Sequence, residues 1–245
     1  MRRKPARRVQ ALTVRLADLS WPDVARRAAI LAVPIGATEQ HGPHLPLSTD
    51  TDIAVGLCDR LAEVRPDVLV APAVAYGSSG EHAGFAGTLS IGQEATEFLL
   101  VELGRSATET FEHVLFVSAH GGNAGPVGRA AARLRAESRD VSVFQPRWEG
   151  EPHAGRPETA LQLVLRPGSV RMDRAVAGDG RSIGELMPVL REGGVRAVTE
   201  TGVLGDPRAA TAEEGADLLA ELTSALVSHV DGWCPVREPG AAVPR

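Results

Sequence analysis

The 245-residue chain is sparing with residues that would mark several common function classes. It has two cysteines, Cys58 and Cys234, too few for a disulfide framework or a thiolate metal knuckle and suited to a reducing cytoplasm. Aromatics make up 4%, so the core must be built mainly from Leu, Val, Ile and Ala, which a 43% hydrophobic content supplies. The net charge of −5 gives no reason to expect nucleic acid as a partner. No stretch approaches the roughly 20 apolar residues of a membrane span, so no membrane association is expected. The basic opening "MRRKPARR" lacks the apolar run of a signal peptide, because Arg15 and Asp18 break up the adjoining stretch. It reads as a disordered tail, as does the closing "REPGAAVPR".

Between these tails the apolar patterning alternates. Buried-strand runs are expected over 28–38, 67–77, 113–123 and 140–148. Helical spacing is expected over 51–64, where Ile53, Leu57, Leu61 and Val64 recur, and over 93–110 and 124–138. Thr211 and Glu214 form a capping box ahead of a last helix in "GADLLAELTSALVSHV". Strand and helix in alternation predict an α/β fold with a mainly parallel sheet between helices. With no linker and no repeat in view, one domain over residues 1–245 is expected.

In such sheets ligands bind beyond the carboxyl ends of the strands. Three His/acid clusters fall there: "GATEQHGPHLPLSTDTD" after the first strand, "AHGGN" after the third and "PHAGRPET" after the fourth. Glu39 and His41, two apart, point the same way in an extended segment, and Asp50 comes after a loop stiffened by proline. His120 precedes Gly121 and Gly122, and Glu158 adds a carboxylate. Two imidazoles and three carboxylates suit Zn²⁺, Fe²⁺ or Mn²⁺, and exceed what one open tetrahedral zinc needs. Two ions sharing a bridging carboxylate fit the count better. His44 reads equally as a ligand or a hydrogen-bonding neighbour, and His82 as a plain loop residue or a pocket wall beside Glu81. His113 and His229 read as ordinary strand-edge or helix residues, and Asp52 and Asp59 as a helix start and its solvated face.

"PIGATEQHGPHLPLSTDTDIA", "GEHAGFAGTLSIG", "SAHGGN" and "HAGRPETALQLVL" together resemble the creatininase family of binuclear metal amidohydrolases, from about residue 28 to 230. The resemblance implies a three-layer α/β/α sandwich, homo-oligomers and two divalent metal ions, Fe²⁺ or Zn²⁺ with Mn²⁺ as a further candidate. It matches Glu39, His41, Asp50 and His120 to metal ligands, Asp50 in the bridging place, and His153 to the catalytic histidine that gives the leaving amine its proton. Creatininases proper carry a glutamate two residues beyond the histidine matching His120. Here that position is Gly122, which argues against creatinine as substrate and leaves Glu158 as the replacement ligand. Ser118-Ala119 stands where Asn-Gly is usual, and Ala160 where Ser is usual. "YGSSGEHAGFAGTLSIG" and "GGVRAVTETGVLGDPRAATAEEG" favour a peptidase branch, which implies as substrate the modified, cross-linked Val-Tyr end of a small ribosomally made precursor peptide. Tyr76, Glu81, His82, Phe85 and Trp148 are candidates for the substrate wall, Trp148 reading equally well as core. A deformylase or other amidase of the same family is the alternative enzyme. A protein that only binds is the alternative of another class, and the retained ligands speak against it.

Overall fold

The computed structural model describes residues 15–24 and 29–235, so both expected tails lie outside the described residues. A short helix α1 (Trp21–Val24) precedes the sheet. Strand β1 (Ile30–Ile35) is buried along its whole length, as its unbroken apolar sequence requires of a central strand. Helix α2 (Thr49–Val64), strand β2 (Val68–Val70), helix α3 (Gly92–Ala107), strand β3 (His113–Ser118), helix α4 (Ala124–Ala136) and strand β4 (Val141–Phe144) continue the alternation. Helices α5 (Arg156–Leu165), α6 (Ile183–Gly193) and α7 (Ala212–Trp233) complete it. The sheet has the order β2-β1-β3-β4 with every neighbouring pair parallel.

The two faces of the sheet are covered by different helices, and the period of two along a strand decides which residue serves which face. Ile30 and Ala32 of β1 pack with Leu115 and Val117 of β3 against α2, α5 and α7, through Ile53, Leu57, Leu161, Leu222 and Leu226. Leu31, Val33 and Ile35 pack with Val114 and Phe116 against α3 and α4, through Leu100, Val127 and Leu134. This is the expected three-layer α/β/α sandwich. Helices α5 and α7 approach so closely that a Cβ at Gly215 would stand 1.9 Å from the Ala160 carbonyl oxygen. The capping box at Thr211 and Glu214 starts α7 as the sequence predicts.

The differences are local. The second expected strand, 67–77, is regular only over Val68–Val70, and beyond it Val74 makes a single parallel bridge to Ile35. Its Pro72 lacks the N–H a ladder needs. Helix α5, to which the sequence reading assigned no element, takes up the end of the "PHAGRPET" cluster and begins with proline in its first turn. Helix α6 is absent from the sequence-based expectation, although its own start signal, a capping box between Ser182 and Glu185, is present.

Candidate metal centre

The segment after β1 carries Glu39, Gln40 and His41, the first turn of α2 carries Asp50, the end of β3 runs into His120, and the first turn of α5 carries Glu158. Asp50 and Glu158 thus sit at helix N-termini, where the backbone favours negative charge. Asn123, three residues beyond His120, ties the segments after β1 and β2 to its own: its Nδ2 donates to the Gly36 carbonyl at 2.9 Å and its Oδ1 accepts from the Ser78 N–H at 2.9 Å. His153 is held by an antiparallel bridge to Leu204, whose N–H donates to the His153 carbonyl at 2.9 Å. Buried Ala154 adopts φ 51°, a left-handed backbone that aims its N–H at Glu158 Oε2, 2.6 Å away.

Two groups of donor atoms converge, each within 4.8 Å: one from Glu39, Asp50 and His120, the other from His41, Asp50 and Glu158. Asp50 belongs to both. Its Oδ1 lies 3.2 Å from His41 Nε2 and its Oδ2 3.3 Å from His120 Nδ1. The histidine tautomers are set by backbone carbonyls: His41 Nδ1–H donates to Glu39 O at 3.2 Å, and His120 Nε2–H to Ser78 O at 2.9 Å. Each ring therefore turns its other nitrogen, with its lone pair, toward the cluster, the arrangement of a metal-binding imidazole. Glu39, fully buried, has no hydrogen-bond partner for Oε1 or Oε2, and Asp50 Oδ2 has none either. His82 Nε2 and His120 Nε2 come within 3.1 and 3.2 Å of the Glu39 oxygens, but outside hydrogen-bond geometry. Buried carboxylate oxygens in this condition are costly unless a cation takes them up.

The electrostatics agree. Burial, and then the charge of Asp50, push Glu39 up to about 8. Burial, opposed by His41, pushes Glu158 up to about 7. Burial also works against protonated His41, but Asp50 overrides it and raises His41 to about 10. Asp50 is held below the usual carboxylate range by His41 and His120 in spite of its burial. Crowded anions and proton-hungry imidazoles are what a divalent cation would relieve, and the oxygen and nitrogen donor set fits Zn²⁺, Fe²⁺ or Mn²⁺.

His153 stands over this cluster, its Nδ1 3.9 Å from Glu39 Oε1 and its ring centroid 4.4 Å from that of His41. Glu39, His41 and His153 also bring donor atoms within 4.8 Å of one another. Burial and the neighbouring His41 hold His153 well below its usual value, so the ring is neutral near pH 7. His153 Nε2–H donates to the Gln40 carbonyl at 2.9 Å. Gln40 is not among the sequence-predicted site residues. Its Nε2 donates to His82 Nδ1 at 2.9 Å and to Gly202 O at 3.1 Å, while its Oε1 accepts from the Gly42 N–H at 2.9 Å. The only hint in the sequence is its place between two ligand candidates.

His82 is buried against Glu39 and His153, so the plain-loop reading of this residue fails. His44 is buried and bonded through Nε2 to Thr159 Oγ1 at 2.9 Å, with burial lowering it to about 4: a neighbour of the cluster, outside its donor groups. His113 pairs with Asp140, and His229 with Ser142. Glu81 and His82 line the cleft above the cluster, a cavity of 1080 Å³. Tyr76, Phe85 and Trp148 lie outside its lining, unlike Glu81 and His82. Tyr76 is half exposed, Phe85 stacks under the Arg196 guanidinium at 5.0 Å, and Trp148 packs beside the core and borders a separate cleft. Each is a candidate by its place along the chain, which carries no record of how a loop turns. Gly122 has no room for a side chain, since a Cβ would lie 2.3 Å from both Glu81 Oε1 and Ser78 O and 2.5 Å from His120 Nε2.

Residues 17–230 match the family described as creatininase, creatinine amidohydrolase. The mycofactocin precursor peptide peptidase of Mycolicibacterium smegmatis is 46% identical over 216 residues, covering 85% of this chain and 87% of its own. That of Mycobacterium tuberculosis (strain H37Rv) is 47% identical over 215 residues, covering 84% and 86%. The creatinine amidohydrolase of Pseudomonas putida is 28% identical over 200 residues, covering 67% and 76%. Among solved structures, a creatinine amidohydrolase (creatininase) superposes with a TM-score of 0.77 at 24% identity, over 91% of this chain and 99% of that one. A mutant creatininase of Zn-Zn type gives 0.75 at 22% identity over 91% and 99%, and a structure named creatininase Mn 0.75 at 23% over 91% and 100%.

Proposed function

The chain belongs to the creatininase family, and from that premise we propose that it is a metal-dependent peptidase. It cleaves the amide bond ahead of the modified Val-Tyr end of a ribosomally made mycofactocin precursor peptide and releases a small product. The observation that carries the metal chemistry is Asp50, shared between two donor groups whose buried carboxylate oxygens have no hydrogen-bond partners. One cation would rest on Glu39, Asp50 and His120, the other on His41, Asp50 and Glu158, with Fe²⁺ or Zn²⁺ as the ions and Mn²⁺ as a third candidate. A single domain, a cytoplasmic location and assembly as a homo-oligomer belong to the same proposal; the two free cysteines support the location.

Bound there, two divalent ions supply Lewis acidity toward water and the scissile carbonyl. The protein's residues do the rest. Neutral His153, its Nε2–H committed to Gln40 O, presents the Nδ1 lone pair to the cluster. That nitrogen takes the proton the attacking water loses and passes it to the departing amine nitrogen. The ring must therefore act first as base and then as acid, because burial does not let it wait as an imidazolium. Gln40 fixes the His82 ring through Nδ1, which keeps His82 Nε2 3.1 Å from Glu39 Oε1 without a hydrogen bond and leaves that oxygen free for a cation.

Incubation of the modified precursor peptide with metal-depleted and metal-reconstituted protein, with mass spectrometry of the C-terminal fragment, tests the reading. Release of the fragment only after reconstitution is expected. Release by protein confirmed to hold no metal would overturn the metallopeptidase assignment.

A further inference from the structure

Helix α6 shares its capping-box start with α7 but, unlike the other long helices, it buries one residue, Leu186. Ile183, Met187 and Leu190 recur at i, i+4 and i+7, so they share one face of the helix. All three line the cleft that Glu39, Asp50, His120, His153 and Glu158 also line, and Arg191 and Glu192 at the end of the same helix add charge to its rim. The helix is fixed at its far end: Gly194, at φ 68°, lies so close to the neighbouring loop that a Cβ would stand 2.6 Å from the Glu81 carbonyl oxygen, and Val195 is buried. An anchored helix thus brings an apolar stripe to the same cleft as the charged cluster, in 1080 Å³, more space than one small amide fills.

We propose that helix α6 is the recognition wall for the apolar, aromatic portion of the substrate, which Ile183, Met187 and Leu190 seat while its scissile carbonyl meets the buried floor. This deepens the peptidase reading and rests on it. The continuity of the stripe with the catalytic cleft commits the surface to substrate rather than to a second copy of the chain. An amide has no reason to meet three aliphatic side chains, but an aromatic ring does, and a flexible methionine at the centre adapts to its shape.

The test uses the metal-loaded full chain with the double variant Met187→Asn/Leu190→Asn and the conservative Met187→Leu. Both sites are only half-buried on an otherwise exposed helix, so folding, checked by Tm, should survive. For the modified precursor peptide, KM of the double variant should rise by about 10–100-fold, as expected for two lost apolar contacts, while kcat changes by less than about threefold. A short peptide amide of the same backbone with alanine in place of the aromatic residue should change less than about twofold. Met187→Leu, which keeps an apolar side chain at the wall, should raise KM far less than the double variant. An unchanged KM, an equal loss on both substrates, or a shift in assembly size by light scattering with KM unchanged would overturn the proposal. If wild-type protein leaves the modified peptide intact, the peptidase reading fails separately. Calorimetric Kd values for that peptide still decide the wall, since equal affinity of wild type and double variant overturns it.

Discussion

Arg65, just ahead of β2, and Glu39, just beyond β1, are both buried charges at edges of the same sheet, and their surroundings differ in one respect. The Arg65 guanidinium meets Asp67 with two parallel bonds of 2.9 and 2.8 Å, Asp231 at 2.6 Å and the Cys234 carbonyl at 3.0 Å. It ties the start of β2 to the end of α7, and its charge is fully answered. At the other edge, Glu39 is buried with both oxygens lacking hydrogen bonds, and Asp50 with one. A satisfied buried cluster holds the chain together, whereas an unsatisfied one asks for something from outside.

Removing the proposed ions should break the contrast most strongly. Exhaustive chelation, verified by elemental analysis, should abolish peptide cleavage, and Fe²⁺, Zn²⁺ or Mn²⁺ should restore it. Thermal stability should drop together with the metal content, because a ligand bound to the native state at 1,000 times its Kd contributes about 4 kcal/mol. Next in size is His153→Ala, which should keep its metal and lower kcat by about 10²–10⁴ with little change in KM. An ester with a good leaving group should suffer less, and loss of a metal equivalent would instead make His153 a ligand. Glu158→Gln should empty the ion proposed for His41, Asp50 and Glu158 while the one on Glu39 and His120 stays; two retained equivalents would remove Glu158 from the donor set. The smallest effect on catalysis belongs to the opposite edge. Arg65→Met should cost about 2–4 kcal/mol in denaturant unfolding and leave metal content and kcat unchanged. Its pH dependence comes from Asp67, whose carboxyl the Arg65 hydrogen bonds hold below its ordinary value of 3.8. A depressed carboxylate adds stability above its unfolded value and loses it as pH falls through the folded one, so wild type should lose this increment in strong acid while Arg65→Met stays flatter there.

The sheet was legible because each strand is a run of branched apolar residues, and α2 and α7 because their apolar residues recur at helical spacing. Helices α5 and α6 were harder to read. Helix α5 is short, Pro188 lies inside α6, and α6 turns its stripe toward a cleft rather than the core. Glu39 and His41 announced themselves by spacing two apart in an extended segment. The place of Asp50 between both histidines was legible only through the family resemblance, because spacing alone does not show that separate segments meet. Gln40 and the buried setting of His82 escaped because they depend on distant segments meeting: the groups that Gln40 Nε2 donates to, His82 and Gly202, lie 42 and 162 residues away along the chain. For Trp148 the sequence left core and substrate wall equally open, and the packing of its ring beside the core favours the first.

Gly122 bears on how His120 is aimed. A side chain there would collide with the Ser78 carbonyl, the oxygen that also holds His120. Any side chain at this position would have to push aside the carbonyl that fixes one ring nitrogen of His120, so the size of residue 122 sets how far that imidazole can swing. The bare backbone at Gly122 acts as a spacer, and its thickness is part of the aim of the histidine above it.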